Sequence, residues 1–465
     1  MFTSTLKIYS PFDRSLLAEI PLNNATDLES ALSTADALFK DPSRWIPPHE
    51  RINILERTAD FMEESLDELT RQAASEGGKP WVDSKVEVLR AINGIKLAAQ
   101  EISRIAGEQI PMGLSPSSDN RLAYTVREPI GVVAAISAFN HPLNLIVHQT
   151  ATAFAAGCPV IIKPDLHTPL SCKSLIELYY KAGMPQEWVQ MIICENDLAE
   201  KLATDHRVNY LSFIGSESVG WYLKSKLAPG TRCALELGGA APVIVEPDAD
   251  LDDAIPLLVK GGFYHAGQVC ISVQRIYIHE SIARKVAEAI ATKASTLNVG
   301  DPLLPSTDVG PLKTPADLQR IDEWVTNAVE AGAELLCGGH PVSDTCYAPT
   351  VLWNPPDEAN VSCKEIFGPV VCIYPYSHRN EAIRRANSLR YHFNAAVFTK
   401  NIDIAFDTVN KLNASAVMIN DHSAFRVDWM PFGGRDASGE GIGGIAYTIK
   451  EMTRHKLMVW RLKVP

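Results

Sequence analysis

A rhythm that runs twice along this chain constrains its fold more than anything else. Between 131 and 213, short apolar runs alternate with helical patterns. The run 131–136, Gly-Val-Val-Ala-Ala-Ile, carries no polar residue. That suits a strand covered on both faces rather than one with a wet side. A helical pattern over 143–156 follows, then Pro-Val-Ile-Ile-Lys at 159–163 with Pro164 as its stop. A helix over 169–182 and strands near 189–193 and 210–213 complete the set, predicting a Rossmann-like parallel sheet. The rhythm restarts at 241–245. It continues with a helix over 250–264, strands near 271–279, 370–376, 395–398 and 416–419, and helices over 281–297 and 316–331. The expected class is α/β, with two such domains. Ahead of them, 7–22 reads as strand, turn, strand, and helices are expected over 27–41, 48–74 and 81–105. Leu55, Ala59, Met62, Leu66 and Leu69 form one helical stripe.

The 465 residues allow two or three domains with sizeable cores. A net charge of −12 argues against nucleic acid or an anionic membrane surface as the main partner. Residues 1–11 lack the basic-then-apolar pattern of a secretory signal. No stretch approaches the roughly 18 uninterrupted apolar residues of a membrane span. The cysteines number nine and show no Cys-x-x-Cys spacing. That fits reduced thiols in a cytoplasmic enzyme better than a disulfide framework or a zinc site, and no metal is expected.

One of those thiols stands apart. The stretch 262–275 reads Gly-Phe-Tyr-His-Ala-Gly-Gln-Val-Cys-Ile-Ser-Val-Gln-Arg. Gly267 permits a sharp bend just before Cys270, and Ile271, Val273, Ile276 and Ile278 make a β-branched run after it. The thiol therefore lies at a loop-to-strand junction, where it can point into a cleft. Taken alone, the stretch reads more simply as a buried apolar cysteine.

Other stretches change that reading: Leu-Glu-Leu-Gly-Gly at 235–239, Ile-Ser-Ala-Phe-Asn-His-Pro at 136–142 and Glu-Ile-Phe-Gly-Pro-Val at 365–370. In this order and spacing, with the Cys270 stretch, they resemble the aldehyde dehydrogenase superfamily over nearly the whole chain. The resemblance implies oxidation of an aldehyde to an acid by NAD or NADP. Cys270 would be the nucleophile, Asn140 an oxyanion donor, and Glu236 the base that activates water against the thioester. The coenzyme-A-acylating branch lacks that Glu, so a free acid is the expected product. Cofactor contacts would come from Ile136, Ser137, Lys163, Leu166, Gly215, Ser216, Leu237, Glu365 and Phe367. Leu166 stands where NAD-preferring members commonly have a Glu, and Cys-Glu-Asn-Asp at 194–197 replaces a Gly-rich loop. Both departures touch the adenosine end; Leu166 has no charge to repel a 2′-phosphate and Lys163 can attract one, so NADP is expected to be accepted.

The resemblance also points to a substrate tunnel at Arg90, His141, Val269, Ile271 and Arg426, where guanidinium groups suit an anionic or strongly polar small aldehyde. Val269 replaces an Arg often found in phosphate-handling members. Three domains are implied: a cofactor-binding one (1–111 and 130–238), a catalytic one (239–444), and an oligomerisation arm (112–129 and 445–465) making a homodimer or homotetramer. Competing readings are a catalytically idle member of the fold, a dehydrogenase for apolar or aromatic aldehydes, and a cysteine hydrolase pairing Cys270 with His265.

Overall fold

The computed structural model describes residues 4–463. Val132–Ile136 is buried at every position and becomes an inner strand of a six-stranded sheet. Val160–Lys163 and Val189–Met191 lie to one side of it; Val208–Ile214, Arg232–Glu236 and the two-residue strand Gly439–Glu440 lie to the other. All pair in parallel except Gly439–Glu440, which returns antiparallel from far along the chain. The chain steps to opposite sides of Val132–Ile136 before and after the Val189–Met191 strand. This leaves a crevice at the strands' carboxyl ends, where open α/β sheets place their ligands.

The second sheet has seven strands, in the order Glu334–Cys337, Thr350–Trp353, Val370–Tyr376, Val273–His279, Ala241–Val245, Asn394–Phe398 and Ala416–Ile419. It is parallel apart from Glu334–Cys337. Its interior holds residues such as Val243, Ile276, Ile373 and Val397, all fully buried. Each such aliphatic side chain contributes about 1.5–3 kcal/mol on leaving water.

The elements differ from expectation in several places. The helix expected over 48–74 is two, Pro48–Glu64 and Leu66–Gly77, broken at Ser65, and the 81–105 helix ends at Ile102. The helix Asn196–Thr204 was not foreseen. The arm is a three-stranded antiparallel sheet of Gln109–Ile110, Arg121–Pro129 and Thr453–Arg461. Val464 and Pro465, the last residues of the expected arm, lie outside the described residues. Ile445, Ile449 and Met452 pack into the first domain's core, so the Ile445–Glu451 helix belongs there rather than to the arm.

Candidate active site

Cys270 is presented by a strained turn. After the helix Leu251–Phe263 the backbone takes three left-handed residues in succession: His265 (φ 48°), Ala266 (φ 53°) and Gly267 (φ 68°). A non-glycine residue held there costs about 1–3 kcal/mol, and such strain collects at functional sites. The turn swings Val269, Cys270 and Ile271 onto a cavity wall before the strand begins at Val273. Gln268 pins it. Its Nε2 donates to Pro311 O (3.2 Å), its Oε1 accepts from Lys313 N (3.0 Å), and its carbonyl accepts from Asn140 Nδ2 (2.9 Å). Gly239 makes room: a Cβ there would stand 2.0 Å from the Cys270 carbonyl oxygen.

Asn140 is buried and does not cap the following helix, which starts at Asn144. That helix's first amides, Leu143 N and Asn144 N, are instead taken by Glu87 Oε1 (2.9 and 3.0 Å). Asn140 thus spends one N–H on Gln268 and keeps the other for the cavity it lines. Glu236 ends the Arg232–Glu236 strand and lines the same cavity. Burial pushes its carboxyl above the ordinary range, opposed by the Arg426 charge. Burial also pushes the Cys270 thiol up, with Glu236 and Glu365 adding to it and Arg426 opposing.

The cavity, about 960 Å³, runs from Cys270 across the carboxyl ends of the first sheet. Ile136, Ser137, Lys163, Gly215, Ser216, Leu237, Glu365 and Phe367 all line it. Among the described residues Ser137 Oγ is buried there without a hydrogen-bond partner, and Ser216 leaves the Glu217–Lys226 helix without a side-chain cap. An orphaned hydroxyl and an open helix N-terminus are what a dinucleotide's hydroxyls and pyrophosphate need. Glu365 Oε1 accepts from Gly239 N (2.8 Å), and burial lifts its carboxyl to about 7. Phe367 holds φ 50° and meets Phe139 edge-on at 5.8 Å. The residues present fit a bound nicotinamide dinucleotide.

Comparison with known proteins agrees. The profile described as the aldehyde dehydrogenase family matches residues 2–458. The chain belongs to the aldehyde dehydrogenase family. The 3-sulfolactaldehyde dehydrogenase of Priestia aryabhattai is 37% identical over 458 residues, covering 98% of this chain and 95% of its own. Among solved structures, aldehyde dehydrogenase 21 of Physcomitrella patens, in complex with the reaction product succinate, superposes with a TM-score of 0.96 at 34% identity, over 99% of this chain and 95% of its own. Glyceraldehyde-3-phosphate dehydrogenase GapN of Methanocaldococcus jannaschii, complexed with NADP, gives 0.94 at 35% identity, over 99% of both chains. This chain is an NAD(P)-dependent aldehyde dehydrogenase.

Two expected contacts of this dehydrogenase need correction. Leu166 does not line the cavity; it packs against an apolar cluster of Ile8, Ile20 and Ile193 under the N-terminal hairpin. The residue that reaches the cavity there is Asp165. Arg90 lines the substrate half, but its guanidinium is already engaged. Nε and Nη2 donate to Asp428 Oδ2 (3.0 Å) and Oδ1 (2.7 Å). Asp428 also accepts from Asn144 Nδ2 (3.2 Å) and His148 Nε2 (2.8 Å).

Arg426 is the contrasting case. Among the described residues its Nε and Nη2 are buried with no hydrogen-bond partner, and its guanidinium carbon lies 3.5 Å from the Phe432 ring centroid. His141, neutral through burial, meets Tyr264 Oη at 3.0 Å. Both ring nitrogens of His265 are buried without hydrogen-bond partners among the described residues, so it makes no pair with Cys270. Val269, Ile271, Phe393 and Phe432 form an apolar wall beside the thiol. Sequence reasoning missed Phe139, Asp165 and Lys313 on the cavity wall. Lys313 carries no local signal.

Proposed function

We propose that this enzyme oxidises a small aldehyde with an anionic far end to the free acid, through a covalent Cys270 intermediate. The observation that carries the substrate reading is Arg426: a buried guanidinium with two unpartnered nitrogens, in the same cavity as Cys270. A carboxylate, sulfonate or phosphate satisfies such a group. The named relatives support this, since sulfolactaldehyde, succinate and glyceraldehyde 3-phosphate all carry an anion. The apolar wall suits the short carbon chain between the two ends.

In this reading the Cys270 sulfur adds to the carbonyl carbon, and the free Asn140 N–H and the Cys270 backbone N–H hold the oxyanion. Each such donor supplies about 10²–10³ in rate. The bound nicotinamide dinucleotide supplies the hydride acceptor. Glu236 then takes a proton from the water that attacks the Cys270 thioester, releasing the acid and the thiol. Arg90, held by Asp428, shapes the tunnel and lends only a neutralised pair. NAD and NADP both fit the residues present.

The arm exposes Leu122, Tyr124, Leu457, Val459 and Trp460. Leu122, Tyr124 and Trp460 share one face of the arm and Leu457 and Val459 the other; exposed apolar surface of this kind suits burial against a second copy, in a homodimer or homotetramer. No helix among the described residues is long and apolar enough to cross a membrane, and the nine cysteines are free thiols. We read the enzyme as cytoplasmic.

The test compares succinic semialdehyde with butyraldehyde, wild type against Arg426→Met. The expected result is a wild-type preference for the anionic aldehyde, taken as the ratio of the two kcat/KM values, that falls about 10–100-fold in the variant. Equal use of both aldehydes by the wild type contradicts the anion reading.

A further inference from the structure

Lys313 comes from the catalytic half of the chain, one residue before the N-cap of the Pro315–Glu330 helix, and reaches across the cavity to the first domain. Its Nζ lies 3.9 Å from Asp165 Oδ2 and 4.3 Å from the centroid of the Phe139 ring. Its backbone N is fixed by Gln268, so the loop that carries it is tied to the nucleophile's own loop. Asp165 sits just past the end of the Val160–Lys163 strand. Its Oδ1 accepts from His167 N (2.8 Å) and pairs with His167 Nδ1 (2.9 Å). Lys163, itself buried, completes the group on the same cavity wall.

We propose that Asp165 and Lys313, a charge pair formed across the cofactor cleft, set the balance between the two dinucleotides. Asp165 accepts from the adenosine ribose diol of NAD, and Lys313 joins Lys163 on the 2′-phosphate of NADP. The proposal rests on reading the cavity as the dinucleotide cleft.

Three physical points carry it. First, in open α/β sheets an acidic side chain past the second strand of the binding unit contacts the ribose hydroxyl, and a nearby cation accommodates the 2′-phosphate. Asp165 occupies that place in the topology, and Lys313 is brought to it by the other domain. Second, the pair is loose. At 3.9 Å it is well beyond the roughly 2.7–2.9 Å of a charge-assisted hydrogen bond, so Lys313 gives up little by turning to a phosphate. Its flexible stem allows the turn, while His167 keeps Asp165 in place. Third, the charges nearly cancel. Lys163 and Lys313 face Asp165 and the neighbouring Glu195. A dianionic phosphate therefore needs both lysines, whereas an uncharged diol needs the carboxylate.

The test is equilibrium binding of NAD and of NADP to the purified full chain, followed by calorimetry, for wild type, Lys313→Met and Asp165→Asn. Both side chains are partly exposed, and Asn keeps an oxygen for His167 N, so both variants are expected to fold. Lys313→Met should raise the Kd for NADP about tenfold and that for NAD less than about threefold. Asp165→Asn should weaken NAD about tenfold and tighten NADP. If each variant changes both dinucleotides by one common factor, or changes neither, the pair does not discriminate and the proposal fails while the cofactor reading stands. A wild type that binds neither dinucleotide removes the cofactor reading, and the proposal with it.

Discussion

Asp428 holds Arg90 through both carboxylate oxygens, at 2.7 and 3.0 Å, and leaves Arg426, two residues before it in sequence, without a partner. One carboxylate thereby divides two arginines into a structural one and a recognising one. Burial pushes the Asp428 carboxyl up, but the His148 and Arg90 contacts outweigh this and hold it well below the usual range.

Asp428→Ala is therefore expected to be costly. It strands a largely buried guanidinium and removes acceptors from Asn144 and His148, a loss of about 3 kcal/mol. Urea unfolding checks it. Arg426→Ala, which breaks no hydrogen bond, should change the midpoint far less. Equal midpoint shifts in the two variants contradict the division of roles.

Gly443 tests Glu236 without touching it. A Cβ at Gly443 would stand 2.5 Å from Glu236 Oε1 and 2.9 Å from the Phe432 carbonyl oxygen. Gly443→Ala should displace the base and slow acyl-enzyme hydrolysis at least about tenfold, since a placed general base is worth about 10²–10⁴. Rapid-mixing absorbance should show the first turnover of reduced cofactor outpacing the steady state. A steady state equal to the wild type's would mean that Glu236 is not the base.

The pH dependence has a definite sign. Glu236 serves as base only when ionised, and burial raises its carboxyl. Hydrolysis of the intermediate should thus climb with pH to above the ordinary carboxylate value of about 4.3 before levelling. Arg426→Met removes the opposing charge and should move the rise to higher pH. For Cys270, burial and then Glu236 hold the thiol up. Alkylation by iodoacetamide without cofactor should accelerate with pH, and Glu236→Gln, lacking one raising charge, should react faster than wild type at pH 8. A slower reaction in that variant contradicts the electrostatic account.

The alternation of apolar runs and helical patterns was enough to expect both sheets, because strands buried on both faces write an unbroken apolar signal such as 132–136. The loop-to-strand placement of Cys270 was legible for the same reason, with Gly267 marking the bend. What stayed hidden depends on distant partners. Arg90 reads as a free guanidinium until the fold delivers Asp428, 338 positions away. Leu166 and Asp165 are adjacent, and only the packing of the N-terminal hairpin decides which faces the cavity. Lys313 lies in a loop with no motif, and its contacts with Asp165 and Phe139 cross between domains. The Ile445–Glu451 helix is short, and its neighbours are far back in the chain.

Replacing Cys270 by Ala should abolish turnover while leaving NAD and NADP binding within about twofold, because the side chain lost is small and the loop is held by Gln268 and Ser423. Residual turnover in the purified variant would point to another nucleophile.

The central claim is that the reaction passes through an acyl group on Cys270 that Glu236 helps to remove. The direct measurement is the intact mass of Glu236→Gln, quenched in acid during turnover of succinic semialdehyde with cofactor, followed by peptide mapping. The account predicts one added acyl group per chain, on the peptide carrying Cys270, and none in the double variant that also has Cys270→Ala. Unmodified protein during active turnover, or an acyl group on any other residue, would contradict it.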